Sequence, residues 1–236
     1  MNTIERLVEF FYPTRCLVCL KSGAVVHLDC QQELPYVKEP FCHRCSAVLT
    51  GKHCHSTLCR LPENDLGLTA VRSVFWHDGA GREAVLRLKY KGVASLRDWA
   101  AEEVSKALDR YQLAGYFQVV IPVPLHAQRL KTRGYNQAGI VAEALAKKQN
   151  FFVYSPYLER VKSTQTQVKL SGQQRSRNVK DAFQWTGENL SGKQVLLFDD
   201  VCTTGSTLNE CARALKVAGA GEVWAVTLTR EVVRQA

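Results

Sequence analysis

The run "VLLFDDVCTTGST" at 195–207 constrains the fold more than any other stretch of this chain. Val195 to Phe198 are four consecutive apolar residues, the texture of a strand buried on both faces of a parallel sheet. Two adjacent aspartates follow, then hydroxyl residues and a glycine, then the helical pattern "STLNECARALKVAGA". An apolar strand that passes through a tight turn into a helix is half of a βαβ unit. The expected strand covers 195–199, and the helix begins at about Thr207.

The same alternation runs through most of the chain. "TAVRSVFWHD" and "YFQVVIPVPL" read as strands, as do "FFVYSPYLER" and the closing "EVWAVTLTR". "GREAVLRLKYKG", "LRDWAAEEVSKALDRYQLAG" and "NQAGIVAEALAKK" read as helices. In the second of these, Trp99, Val104, Leu108 and Tyr111 recur at helical spacing, and Gly115 lies past the end. Strands alternating with helices predict an α/β fold with a mainly parallel sheet flanked by helices. Residues 63–236 are expected to form this domain, behind a cysteine-rich module at 1–62.

No stretch reaches the roughly 18 consecutive apolar residues that a membrane span needs. The start, "MNTIERLVEFFYP", reads as a short amphipathic helix ended by Pro13, without the basic start and unbroken apolar core of a signal peptide. A cytoplasmic chain is expected. Its net charge of +9 is unevenly placed: residues 121–180 hold eleven lysines and arginines against Glu143 and Glu159, so the remainder sums to zero. A basic region confined to one segment points to an acidic ligand, polyphosphate or nucleic acid, although a solvated basic surface would look the same.

Seven of the nine cysteines fall between residues 16 and 59. Cys42 and Cys45 form a C-x2-C pair that Cys54 and Cys59 complete as a four-thiolate zinc group. Disulfides fit a reducing cytosol poorly. Cys16, Cys19 and Cys30 make an incomplete first set, a possible second zinc site. Glu33 stands where a C-x2-C pair would place its second cysteine, and His27 just before offers an imidazole. His43, His53 and His55 are also metal-ligating types, but the four thiolates leave them no vacancy. With so few apolar residues between 42 and 62, the module is expected to need its metal, which contributes on the order of 10 kcal/mol of folding free energy.

"TTGST" is a nest of backbone N–H groups with hydroxyls on Thr203, Thr204, Ser206 and Thr207, and Gly205 permits positive φ or close backbone approach. With a helix starting there, it suits a phosphate monoester. Asp199 and Asp200 are poor phosphate partners. They suit vicinal hydroxyls instead, or the organisation of Mg²⁺ around a sugar polyphosphate. Neither G-x-G-x-x-G nor G-x-x-x-x-G-K-[ST] is present, so the dinucleotide and P-loop signatures are missing. A 5-phosphorylated ribose fits best. Cys202 and Cys211 are expected to pack.

This run closely resembles the 5-phosphoribosyl diphosphate (PRPP) motif of type I phosphoribosyltransferases. By that resemblance Asp199 and Asp200 hold ribose hydroxyls and residues 203–207 hold the 5-phosphate. "VPLHAQRLKTRGYNQA" follows its strand where those folds carry a pyrophosphate loop, which gives Arg129, Lys131 and Arg133 that role. The "RGYNQ" box, "LKYKG" at 88–92, the basic run at 159–183, which reads as a mobile loop, and the cysteine module together resemble the ComF family of competence proteins. The resemblance departs at Glu33, where the family's double zinc ribbon has cysteine. It implies PRPP with Mg²⁺, zinc, a role in natural transformation with incoming single-stranded DNA, and other competence proteins at the inner membrane as partners. Arg175, Arg177 and Lys180 are the nucleic-acid candidates.

A phosphoribosyltransferase of nucleotide salvage with a structural zinc appendage is the alternative, although no segment that would read a base over the ribose is recognisable. A zinc-ribbon regulator that senses PRPP lacks a helix-turn-helix signal. Tyr135, Phe151, Phe152 and Tyr154 can stack bases, but aromatic packing on a strand or helix face is the commoner role. No catalytic residue is legible.

Overall fold

The computed structural model describes residues 13–49, 54, 56–90, 94–154, 156–161 and 181–232. Residues 1–12 of the expected first helix, His53, His55, Arg175, Arg177, Lys180 and most of the 159–183 run lie outside them.

Five parallel strands form the main sheet, in the order β1 (Ala70–Trp76), β7 (Val223–Arg230), β6 (Val195–Cys202), β2 (Val119–Pro122) and β3 (Phe152–Val153). Helices α1 (Gly79–Tyr90), α2 (Ala94–Arg110) and α4 (Gln137–Gln149) cover one face, and α5 (Ser206–Val217) covers the other. In α2 the buried positions Leu96, Ala100, Val104, Ala107 and Leu108 recur every three or four residues, which makes a stripe that faces the sheet and α4. Trp99 lies beside that stripe and stacks on Phe75 of β1, with centroids 5.6 Å apart.

Strand β6 alternates between the two cores. Leu196 and Phe198 belong to the cluster under α1, α2 and α4, while Val195 and Leu197 belong to the cluster under α5. All four are almost fully buried, at roughly 1.5–3 kcal/mol for each large side chain. The expected strand at 195–199 runs three residues further, to Cys202, because β7 stays paired with it as far as Arg230 opposite Cys202. On its other side β2 pairs only from Val119 to Pro122 and ends opposite Phe198. Asp199 and Asp200 therefore flank a gap between neighbouring strands. The chain leaves β2 towards β3 on one side and β6 towards β7 on the other, so this gap is the topological switch point, where open α/β sheets bind ligands.

Two elements differ from the sequence expectation. "FFVYSPYLER" is not one strand. Only Phe152–Val153 joins the sheet, and β4 (Leu158–Arg160) pairs antiparallel with β5 (Phe183–Trp185) in a separate two-stranded sheet. Pro156 divides the run, since it cannot donate a ladder hydrogen bond. The supposed pyrophosphate loop contains a helix, α3 (Ala127–Arg133). His126 caps it by accepting from the Gln128 N–H at 3.3 Å, and Gly134 ends it at φ +81°, donating to the Leu130 carbonyl.

The cysteine segment is built into this framework. Tyr36 bridges Phe75 on the free edge of β1, the Val37 N–H donates to the Val74 carbonyl, and the Val71 N–H donates to the Arg44 carbonyl. These contacts cover an edge that would otherwise offer unpaired backbone groups. Leu17 and Leu34 extend one core, and Cys42, Cys45 and Leu58 extend the other. Among the described residues, no helix is long and apolar enough to cross a membrane.

Candidate functional site

The end of β6 enters a turn at Thr203 and Thr204, and Gly205 caps α5 in the left-handed region at φ +81°. Only glycine adopts that backbone without cost, and it aims the first N–H groups of α5 into the switch-point gap. Thr204 Oγ1 lies 2.9 Å from Ser206 Oγ and accepts from the Ser206 N–H at 3.3 Å. The Asn209 N–H closes the first turn on the Gly205 carbonyl. Thr203 to Thr207 thus form one continuous cradle at the start of a 12-residue helix. Hydroxyls, backbone donors and the helix dipole converge there, as anion binding requires.

Asp199 and Asp200 sit on opposite faces of β6, as consecutive strand residues must. Asp200 is 6% exposed and is held on the α1–α4 side. Lys89 Nζ lies 3.1 Å from its Oδ2, and Gln137 Nε2 donates to the same oxygen at 3.2 Å. Arg133 Nη1 donates to Gln137 Oε1, which fixes that amide. Asp199 accepts the Asp200 N–H through Oδ1 at 2.8 Å. Burial first, and the Asp200 charge second, push the Asp199 carboxyl well above the usual carboxylate range.

Of the expected pyrophosphate residues, only Arg133 joins this network. Arg129 and Lys131 are exposed on α3, and the Arg129 charge acts on Arg160 of β4. Lys89 carries no site signal in the sequence because it lies more than a hundred residues before Asp200, and only the crossover packing of α1 brings them together. His77, just past β1, is at the same sheet end. Its Nδ1 is 2.9 Å from Thr229 Oγ1, which donates to the Asp200 carbonyl. Burial and the Lys89 charge lower its pKa. Cys202 and Cys211 are buried, as expected, and burial raises both thiols.

The stacking candidates divide. Phe151 is core, and the Tyr135 hydroxyl donates to the Leu88 carbonyl at 2.6 Å. Tyr154 packs with Tyr157 and Trp185. Phe152 is 72% exposed on the sheet edge.

Both cysteine sets converge. Ligand atoms of Cys42, Cys45, Cys54 and Cys59 lie within 4.8 Å of one another, as do those of Cys16, Cys19, His27 and Cys30. The 3.6 Å between Cys42 and Cys59 sulfurs, and 3.5 Å between those of Cys45 and Cys54, approach the roughly 3.8 Å edge of a tetrahedron with Zn–S of about 2.3 Å. All nine cysteines are free thiols. Hydrogen bonding with Cys59 holds the Cys45 thiol down at about 4, and the Ser56 hydroxyl, 3.1 Å away, adds to this.

At the first set the fourth donor is His27, while Glu33 ends a short 3₁₀ turn exposed to solvent. His27 Nδ1 faces Cys19 at 3.3 Å, and Nε2 donates to the Ser22 carbonyl at 3.2 Å. That is how a zinc-ligating imidazole is normally oriented. Burial raises the Cys16 thiol, but backbone N–H groups of Cys19, His27 and Val18 bring it down to about 6. The two C-x2-C turns repeat each other. Cys16 and Cys42 each donate to the carbonyl five residues on and accept from the N–H four residues on, with Leu20 and Ser46 at φ +63° and +55°. Both sets can hold zinc.

Residues 130–234 match the phosphoribosyl transferase domain family. The chain is 30% identical to competence protein F of Haemophilus influenzae, across 93% of this chain and 98% of that protein. It is 27% identical to competence protein ComFC of Bacillus subtilis, across 92% and 88%. The DNA utilization protein YhgH of Salmonella typhi is 37% identical, over 47% of this chain and 49% of its own.

Proposed function

The chain belongs to the ComF family of competence proteins, and from that premise we propose that it is a zinc-containing, PRPP-binding protein of natural transformation that handles incoming single-stranded DNA in the cytosol. The observation that carries this reading is the convergence at one switch point of the 203–207 cradle, the Asp199–Asp200 pair and the cations Lys89 and Arg133. Such a site combines an anion cradle with acceptors for sugar hydroxyls.

In this reading the cradle takes the 5-phosphate, and Asp199 and Asp200 face the ribose hydroxyls. Arg133, with Arg129 and Lys131 on the same short helix, stands towards the diphosphate. Mg²⁺ bound with PRPP would neutralise part of the diphosphate charge. Lys89 and Gln137 hold both contacts on Asp200 Oδ2, so the carboxylate is oriented before the ligand arrives. The raised pKa of Asp199 is lowered again when a hydroxyl donates to its ionised form.

The basic segment gives the DNA role its support. Eleven cations in 60 residues exceed what one PRPP requires. Binding of an oligonucleotide is expected to weaken with salt at a log–log slope of about −0.7 per phosphate neutralised. Changing Arg129, Arg133, Arg175 and Arg177 together to Ala flattens that slope. A salt-independent interaction, or none, removes single-stranded DNA from the reading. Calorimetry with Mg²⁺–PRPP, repeated with oligonucleotide present, tests both ligands in one series. Turnover of free bases in the same samples would favour a salvage enzyme instead.

A further inference from the structure

The second cysteine set packs against the phosphate cradle, and one buried cation lies on the cradle's first carbonyls. Arg230 ends β7 and is fully buried. Its Nη1 donates to the Cys202 carbonyl at 3.2 Å, to Cys202 Sγ at 2.8 Å and to the Thr203 carbonyl. Its Nε and Nη2 are buried without a hydrogen-bond partner. Among the described residues no carboxylate pairs with it. A buried guanidinium persists only beside opposite charge. Burial works against its charge, and the groups that favour it are sulfurs, Cys202 first, then Cys45 and Cys54 of the second set. Four thiolates around Zn²⁺ carry a net double negative charge, so a loaded centre supplies the counter-charge that the guanidinium lacks.

A second contact is independent of charge. Leu58, next to Cys59, is 1% exposed and packs under Gly205, where an added Cβ would stand 3.4 Å from Leu58 Cδ2. The cysteine set therefore meets the cradle through Leu58 under its glycine, while Arg230 holds the cradle's first carbonyls.

We propose that Arg230 is a positioning residue, the counter-ion of a zinc centre at Cys42, Cys45, Cys54 and Cys59 that also holds Thr203, so that zinc occupancy of this set tunes the affinity of the cradle for a phosphate ester. The proposal rests on the functional reading above and adds the coupling between its two ligands. Loss of the ion lets the four sulfurs separate, and the concentrated charge that anchors Arg230 goes with them. Thr203 then loses its fixed donor, and the N–H groups that follow it lose their common aim.

The test uses the full chain, as wild type, Arg230→Met and Arg230→Lys, with thermal unfolding to check folding. Two quantities are read: zinc release to a chromogenic chelator, and Mg²⁺–PRPP affinity by calorimetry. Arg230→Met is expected to release one of two zinc equivalents about 10–100-fold faster, the usual effect of losing an outer-shell partner. Its PRPP affinity falls at least about tenfold, as expected for a lost charge-assisted hydrogen bond, and stripping its zinc causes little further loss. Arg230→Lys keeps the charge, so it holds zinc nearly as wild type does. It lacks the planar fork, so PRPP binding still weakens. If the Met variant does not fold, the Lys variant decides: slow zinc release with weakened PRPP binding supports the coupling, and unchanged PRPP binding overturns it. Wild-type release rates in Arg230→Met, or equal PRPP affinity with and without zinc, also overturn it. A wild-type chain that holds zinc and binds no PRPP overturns the functional reading, and the coupling with it.

Discussion

Replacing Lys89 by Met probes the electrostatics of the site without touching the cradle. Lys89 Nζ is 3.1 Å from Asp200 Oδ2, with the two side chains 26% and 9% exposed. At an effective dielectric of about 20 the Coulomb attraction at that distance is about 5 kcal/mol. Removing one member of a buried pair costs about 3–5 kcal/mol, because the other charge stays buried alone. Two features reduce the figure: a quarter of Lys89 meets solvent, and Gln137 Nε2 still donates to the carboxylate. The expected loss is therefore about 2–3 kcal/mol, or about 5–10 °C in Tm for a chain of this size. Asp200→Asn alone should cost less, about 1 kcal/mol, since a freed Lys89 can reach water. The double variant buries no unpaired charge, so the two effects are strongly non-additive, with a coupling energy of about 2 kcal/mol. Urea denaturation of the four proteins at neutral pH measures it. A coupling within 0.5 kcal/mol of zero, about the error of such cycles, would refute the claim that Lys89 and Asp200 form a stabilising buried pair.

Asp199→Asn is expected to stabilise the free protein at neutral pH while abolishing PRPP binding. Its folded pKa is raised, so the folded state holds a proton that the unfolded state has lost. Stability therefore falls as pH rises from the unfolded value, about 3.9, towards the folded one. Asn escapes that loss, and its advantage should vanish by about pH 4; an advantage that does not depend on pH would exclude the linkage. In the cysteine module, Cys42→Ser and His27→Ala should each remove one of two zinc equivalents, measured by metal analysis. Unchanged zinc content in either variant sinks that set's assignment, and Glu33→Ala should change nothing.

Much of the fold was legible because local pattern and tertiary role agree. Val195 to Phe198 are apolar without alternation because β6 is buried on both faces, and the α2 stripe recurs with the helical period. The misread elements are those set by partners. β6 continues through two aspartates because β7 is beside it, which composition cannot reveal. Helix α3 did leave a signal: Gly134 follows a run of good helix formers, as a C-terminal glycine does. At the site, the cradle and the aspartates are contiguous in sequence and so were readable. Lys89 and Arg230 act across the fold, and each looks locally like an ordinary charged residue closing an element. His27 was a candidate by type, but its choice over Glu33 needed the turn that aims Nδ1 at Cys19.

The central claim is that Asp199, Asp200 and the 203–207 cradle form a PRPP site. The most direct measurement is a calorimetric titration of Mg²⁺–PRPP into wild type and into the Asp199→Ala, Asp200→Ala double variant, with zinc content measured on both. Saturable binding of one PRPP per chain is expected in the wild type, none in the double variant, and equal zinc in both. A wild type that takes up no PRPP, or a double variant that titrates like the wild type, would contradict it.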